Sequence, residues 1–412
     1  MAKKIVLAYS GGLDTAVAIR WLKEERGYDV VALHIDMGTE KEFEVLRERA
    51  LAAGAAKALF RDGKADFIRY FAFPALAAGA VYQGHYPLAT ALGRPLISKI
   101  MVDVAREEEA TAVGHGSTGK GNDQVRFDVS VQALAPDLEI VAPVREWDMK
   151  TREDEIAYAA QHNIPIPVTK ESPYSTDENL WGRSIECGVL EDPWQEPPED
   201  IYELTRSVKD APEEASYVEI GFEHGIPVSL DGEEIDGVTL VKRLNFFAGE
   251  HGIGRVDLVE DRLVGIKSRE IYEAPAASVL LRAHEALEHL TLSKPQIRMK
   301  ARIAQEYADL IYNGLWFTAY HQDLAAFVQS SQRHVTGEVR MRLHKGHAVP
   351  VGRRSPKSLY DVALATYDKG GVYDQSAAVG FIKIWGLPVR VQAKAQLLAE
   401  PGEPLRIASP ES

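Results

Sequence analysis

Over roughly the first 165 residues, short apolar runs alternate with amphipathic stretches, and this alternation restricts the chain more than any other feature. "KIVLAY", "DVVALHID", "KALF", "TAVGH" and "LEIVAP" read as buried strands. Among and after them come "LDTAVAIRWLKEER", "EKEFEVLRERALAAG", "KADFIRYFAFPALAAGA", "RPLISKIMVDVAREEE" and "KTREDEIAYAAQHN". In the first of these, Val17, Trp21 and Leu22 recur at helical spacing. Strand–helix alternation of this kind implies a parallel sheet wound with helices on both faces. Ligands of such sheets sit beyond the C-terminal ends of the strands.

The pattern changes near "NIPIPVTKESPYS", and prolines cluster again in "EDPWQEPPED", which marks a boundary region with long ordered loops. "SYVEIGFEHGIPVSLDGEEID" then reads as a hairpin, "GVTLVKRLNFFAGEHG" as a helix, and "RVDLVEDRLVGIKSREIYE" as a second hairpin turning near Asp261. Long helices are expected over about 276–332, a third strand pair in "GEVRMRLHKGHAVPVGRR", and a helix over about 374–386. The expected fold is α/β: a doubly wound parallel-sheet domain over 1–168, an α+β domain over 169–373, and a C-terminal helix with a polar tail over 374–412.

A length of 412 residues, 45% hydrophobic, suits two domains with well-buried cores. With 47 basic against 61 acidic residues the formal net charge is -14, and no basic stripe offsets it, which argues against a nucleic-acid partner. Small anionic substrates are compatible, because a few local donors can hold them. The single cysteine, Cys187, excludes an internal disulfide and a cysteine-cluster metal site. "MAKKIVLAYS" has too short an apolar run for a signal peptide, and no apolar run approaches a membrane span. The expectation is a soluble cytoplasmic protein with no membrane partner.

Two glycine-rich loops carry the chemistry. "YSGGLDTA" lies between a buried strand and a helix start, where unpaired backbone N–H groups and helix-end charge favour an anion. Two glycines let the backbone curl around it. An ordinary strand-to-helix turn is the plain alternative for Ser-Gly-Gly alone, whereas the extended pattern S-G-G-x-D-[ST] is far more specific. Asp14 falls in the first helical turn, where a carboxylate suits the dipole or helps hold a magnesium ion. The second loop, "GHGSTGKGNDQVRFD", nearly makes a Walker A sequence, but Gly121 stands where the magnesium-coordinating hydroxyl belongs. Its Thr118, Asn122, Asp123 and Arg126 combine a hydroxyl, an amide, a carboxylate and a guanidinium, the set that matches an amino acid. His115, at a strand end, reads as structural rather than catalytic.

The first loop resembles that of the N-type ATP pyrophosphatases, which cleave ATP between the α and β phosphates. The two loops together resemble the argininosuccinate synthase family. The likeness continues through "SPYSTDENLWGRSIE", "LEDPW", "HGIGRVDLVEDRLVGIKSREIYE", "YNGLWF" and "SLYDVALATYD". It implies a C–N ligase that condenses citrulline with aspartate while ATP becomes AMP and pyrophosphate. ATP is a substrate used with Mg2+, no dedicated protein metal cluster is implied, and the partner is a second copy in a homotetramer. The domains become a nucleotide-binding domain, a synthetase and multimerisation domain, and an oligomerisation helix.

The resemblance assigns ATP binding to Ala8, Tyr9, Ser10, Gly11, Gly12, Leu13, Asp14, Thr15, Ala16, Ile35 and Gly116. It assigns aspartate to Thr118, Asn122 and Asp123. It assigns citrulline to Tyr86, Asn122, Arg126, Ser175, Ser184, Glu260 and Tyr272, with Thr90 beside a departure at Ala91, where the family often has serine. Asp14 and Asp123 are the catalytic candidates, Asp123 as the seat of the aspartate ammonium and a possible acceptor of its proton. Two further departures are Ala16, where a phosphate hydroxyl is usual, and Glu270, where many members have glycine and which reads as a surface difference. The nearest rival is another pyrophosphatase-loop adenylating synthetase. Thiolases of that kind need catalytic cysteines and a basic RNA surface, and ammonia-using types do not need the Thr-Asn-Asp-Arg set. A non-catalytic nucleotide sensor would have lost these residues.

Overall fold

The middle of β1 is an uninterrupted apolar run because the strand is covered on both faces. Ile5 and Leu7 pack with Val17, Ile19 and Leu22 on one side, and Val6 packs with Met101, Val104 and Val131 on the other. The structure, a computed structural model, describes residues 3–39, 42–165, 173–368 and 371–396. Its first sheet contains β1 (Lys3–Ala8), β2 (Tyr28–Asp36), β3 (Lys57–Asp62), β4 (Ala112–Gly114) and β5 (Glu139–Val141). The order is β3-β2-β1-β4-β5, with every pairing parallel. The chain therefore leaves β1 and β4 in opposite lateral directions, and the loops that follow them open a crevice at the topological switch point. Helices Leu13–Glu24 and Phe43–Ala53 and helices Ala89–Glu107 and Asp123–Leu134 supply the apolar cover.

Beyond this sheet come β6 (Ser175–Asn179), β7 (Gly182–Glu186), β8 (Ser216–Glu223), β9 (Ile226–Leu230), β10 (Glu233–Glu234), β11 (Arg255–Asp261), β12 (Lys267–Glu273), β13 (Gly337–His344) and β14 (His347–Arg354). They form two antiparallel sheets, β10-β9-β8-β13-β14 and β11-β12-β7-β6. The expected hairpins and long helices are present, the helices as Pro275–Thr291, Lys294–Tyr312 and Ala319–Gln332. One segment differs from its sequence reading. "STDENLWGRSIE" is a hairpin, β6 and β7, rather than loop, and β7 adds to β12 through Tyr272↔Ser184 and Ile271↔Ile185. Its strands are polar on the face turned away from the core, so neither shows an apolar alternation.

Contacts divide the chain into Met1–Leu359 and Tyr360–Ser412. The boundary expected at 168/169 and the tail from 397 onward lie outside the described residues. In the second unit, helices Ala377–Trp385 and Leu387–Gln396 have no buried residue. Among the described residues no helix is long and apolar enough to cross a membrane.

Candidate active site

A cavity of about 620 Å³ opens at the C-terminal ends of β1, β2 and β4 and extends to the sheet β11-β12-β7-β6. Its wall at the ends of β1 and β4 is largely main chain. After β1 the chain passes through Ser10, Gly11 and Gly12 into the helix Leu13–Glu24, whose N-terminus has no side-chain cap. Gly11 adopts φ +83°, and a Cβ there would lie 2.3 Å from Leu46 Cδ2. This turn consequently favours glycine. Ser10 Oγ lies 3.2 Å from Thr15 Oγ1, and Thr15 Oγ1 donates to the Gly12 carbonyl at 3.3 Å, so both hydroxyls stand at the loop mouth. The helix Asp123–Leu134 after β4 likewise begins without a side-chain cap. The first of these helix starts, with the glycine loop before it, presents backbone donors to this end of the cavity, the arrangement that holds phosphate, whereas the second opens on the Asp123 carboxylate.

Asp14 lines this end, and Glu155 packs beside it from the helix Arg152–Gln161. Burial first, and the Asp14 charge and hydrogen bond second, push the Glu155 carboxyl up to about 8. Leu33 and Ile35 at the end of β2 and Met37 just after it form an adjoining apolar wall, with His34 beside them.

The other end is built from side chains. Arg94, on the helix Ala89–Glu107, donates to Asp123 at 2.7 Å and to Asp177 at 2.8 Å, and Arg126 donates to Asp123 at 2.9 Å. Burial opposes ionisation of Asp123, but the Arg94 and Arg126 guanidiniums outweigh it and hold its carboxyl below the usual range. Arg126 is only 3% exposed, and its Nη2 has no hydrogen-bond partner among the described residues. A buried guanidinium with an open N–H in a cavity wall is a ready carboxylate site. The Asn122 amide donates to Tyr312 Oη at 2.8 Å and accepts from Leu263 N–H at 2.8 Å, tying the second loop to the later hairpin.

On β7 and β12, alternation puts Ser184, Glu186, Glu270 and Tyr272 into the cavity wall, while Ile185 and Ile271 pack with Leu190 and Ile201 on the opposite face. Glu260, 2% exposed, accepts from Tyr272 Oη at 2.6 Å and also from Tyr312 Oη. Burial raises its pKa against the pull of those two hydroxyls. Tyr86 stacks on Tyr272 with ring centroids 3.9 Å apart, and Tyr82 stacks on Tyr312 at 3.6 Å. Thr90 Oγ1 lies 3.3 Å from Ser184 Oγ. Arg262 bridges Glu186 and Glu270.

The family now follows from comparison. The model for the arginosuccinate synthase N-terminal HUP domain matches residues 4–165, and that for the arginosuccinate synthase C-terminal domain matches 174–392. The chain belongs to the argininosuccinate synthase family. A relative of that name from Rubrobacter xylanophilus is 58% identical over 388 residues, covering 94% of each chain. One from Dehalococcoides mccartyi is 55% identical over 400 residues, covering 97% of this chain and 98% of its own. One from Brevibacillus brevis is 55% identical over 395 residues, covering 96% and 94%.

Most positions that the family resemblance singled out meet in the one cavity. Ala8, Tyr9, Ser10, Gly12, Leu13, Asp14, Thr15, Ile35 and Gly116 line it, as do Thr118, Asn122 and Asp123 and all eight citrulline-assigned residues from Tyr86 to Tyr272. Gly11 and Ala16 do not: Gly11 shapes the turn, and Ala16 is a buried helix residue, 1% exposed. Ala91 is fully buried, and its N–H points to Tyr86 Oη at 3.4 Å.

Two readings change. Glu270 is a buried wall residue, 7% exposed, and not a surface difference. Arg94, Asp177, Arg262 and Tyr312 were missed as parts of the site. Arg94 lies one helical turn beyond Thr90, and Asp177 two residues beyond Ser175 on β6, spacings that share a face. Lys120 is exposed and not part of the wall, in keeping with the failed Walker match. His115 donates from Nε2 to Asp128 Oδ1 (2.7 Å), accepts at Nδ1 from Ser117 N–H at 3.2 Å, and stacks on Phe127, all structural contacts.

Proposed function

We propose that this cavity condenses citrulline with aspartate at the expense of ATP, giving argininosuccinate, AMP and pyrophosphate, in arginine biosynthesis. One observation carries the reading: a glycine loop leading into an uncapped helix N-terminus and a wall of paired side-chain charges share a single cavity. A phosphate chain suits the first and amino acids suit the second.

In this reading Ala8 to Ala16, Ile35 and Gly116 serve ATP, with Gly11 and Ala16 acting through loop shape. The loop N–H groups neutralise charge on the departing pyrophosphate, where preorganised donors are most effective. Citrulline's ureido carbon is a poor electrophile, because both nitrogens donate into the carbonyl. Its oxygen attacks the α-phosphorus, and the bond to pyrophosphate breaks. The aspartate amine then attacks the activated ureido carbon, the carbon–oxygen bond to AMP breaks, and the amine releases a proton. Holding three reactants in register supplies most of the rate.

Thr118, Asn122 and Asp123 seat aspartate. Asp123, ionised between two guanidiniums, acts as an anchor for the ammonium rather than as the base. The open Nη2 of Arg126 takes the citrulline carboxylate, and Glu260 takes its ammonium, with Tyr86, Thr90, Ser175, Ser184 and Tyr272 around them. Asp14 and Glu155 fit a magnesium ion, which commonly uses one or two carboxylates together with substrate phosphates. The ion would neutralise phosphate charge there.

The domain division is 1–168 for the nucleotide, 169–373 for the amino acids, and 374–412 for assembly. Phe381, Ile384 and Trp385 are 61%, 71% and 75% exposed, which supports a homotetramer in which other copies cover this helix. The reading includes a cytoplasmic location. It is tested by pyrophosphate release with ATP and magnesium, omitting each amino acid in turn. Release should require citrulline, and argininosuccinate should form only with both; turnover independent of citrulline would refute it.

A further inference from the structure

The charges at the amino-acid end divide unevenly. Arg94 and Arg126 face Asp123 and Asp177, two cations for two anions. Beside them, Arg262 alone faces Glu186 and Glu270, and Glu260 adds a third carboxylate held only by tyrosine hydroxyls. Three carboxylates share one contacting guanidinium, Arg262, with Arg126 acting on Glu260 only from farther off, and with Glu260 and Glu270 both buried this corner is short of positive charge. Buried carboxylates are stable when ionised only if paired. The shortage shows in their titration: burial first, and the Glu186 charge second, push Glu270 up to about 8, and burial raises Glu260 as well.

Strand geometry puts the shortage where an amino-acid ammonium belongs. Glu270 lies two residues before Tyr272 on β12, on the same face, and two residues after Ser268, the cross-strand partner of Glu260. Both carboxylates therefore share the face that carries Tyr272, whose hydroxyl donates to Glu260. The remaining groups about Glu270 are Glu186 on β7, the Cys187 thiol beyond it, Arg262 at 2.8 Å and Ser268 Oγ at 3.1 Å.

We propose that Glu270 is a specificity-determining residue, supplying with Glu260 a two-carboxylate seat that demands a free α-ammonium on the ligand in this corner. The proposal rests on the reading of this corner as the citrulline site. An incoming ammonium supplies a further cation, and a ligand without one leaves Glu260 with tyrosine hydroxyls alone and Glu270 sharing Arg262 with Glu186. Members of the family with glycine at this position would hold the ammonium with one carboxylate fewer.

The sign of the pH dependence follows. Glu270 is mostly protonated below about pH 8 in the free protein, and an ammonium favours its ionised form. Apparent affinity for citrulline should then rise, and its KM fall, as pH climbs through that value.

The test is steady-state pyrophosphate release by the full-length protein, varying citrulline from about pH 7 to about pH 8.5, for the wild type, Glu270→Gln and Glu270→Gly. Loss of one charge-assisted contact should raise the citrulline KM about tenfold, with kcat and the KM values for ATP and aspartate within about twofold. The wild-type citrulline KM should fall across the range and the variants' KM stay level. An unchanged citrulline KM in both variants, an equal rise in all three KM values, or a level wild-type profile would overturn the proposal. Selective change in one KM also separates the effect from misfolding, which lowers active protein without choosing a substrate. Wild-type turnover without citrulline would refute the site reading itself, whereas citrulline-dependent turnover with unaltered variants would refute only the role of Glu270.

Discussion

The two ends of the cavity are made of different materials. The nucleotide end is main chain: a loop of Ser10, Gly11 and Gly12, an uncapped helix start, and a second loop after β4. The amino-acid end is a set of buried charges brought in by the helices Ala89–Glu107, Asp123–Leu134 and Lys294–Tyr312 and by two hairpins. Backbone donors recognise any phosphate, because every residue has one. Side-chain charges recognise one arrangement of ammonium and carboxylate. In the proposed reading the first end is general to a chemistry, and the second selects the substrates.

That contrast predicts which substitutions damage which end. The largest effect is expected for Glu260→Gln, which keeps the shape but removes a buried charge. It should lower kcat/KM for citrulline by about 100-fold while the ATP KM moves by less than about twofold. Comparable losses for both substrates would break the division between the ends. Gly11→Ala is the converse. A Cβ at φ +83° strains the turn, and at 2.3 Å it displaces Leu46 Cδ2. Stability should fall by about 1–3 kcal/mol in denaturant titration, and the ATP KM should rise more than the citrulline KM. The smallest effect is expected for Ala16→Ser. Its hydroxyl would point back to the Gly12 carbonyl, which Ala16 N–H already uses at 3.1 Å. Pyrophosphate affinity should change by less than about twofold, read by calorimetry; a much larger gain would mean that this position does reach the ligand.

The same contrast explains what the sequence disclosed. The nucleotide end was legible because its parts are contiguous: an apolar strand, glycines and an amphipathic helix follow one another, and local conformation does the rest. The sheet alternation was legible for the same reason. The amino-acid end is dispersed. Asp123 and Arg126 share one helix turn and could be paired by eye, but Arg94 reaches them from 29 residues away and Tyr312 reaches Asn122 across 190. The hairpin of β6 and β7 hid because its cavity face is polar, so that Ser175 and Asp177, and Ser184 and Glu186, alternate with too few apolar residues to read as strand. Tyr312 resembled a core residue at the end of an apolar helix face, and only its hydroxyl contacts reveal a second role. Glu270 was passed over because one carboxylate in "SREIYE" says nothing about burial, although its spacing from Tyr272 already put both on one face.

The central claim is that the two ends meet over one bond, with the ureido oxygen of citrulline attacking the α-phosphorus of ATP. Citrulline carrying heavy oxygen in its ureido group tests this most directly. After turnover with ATP and aspartate, mass spectrometry should find the label in AMP, one atom per argininosuccinate formed. Label in pyrophosphate or in water, with none in AMP, would contradict the account.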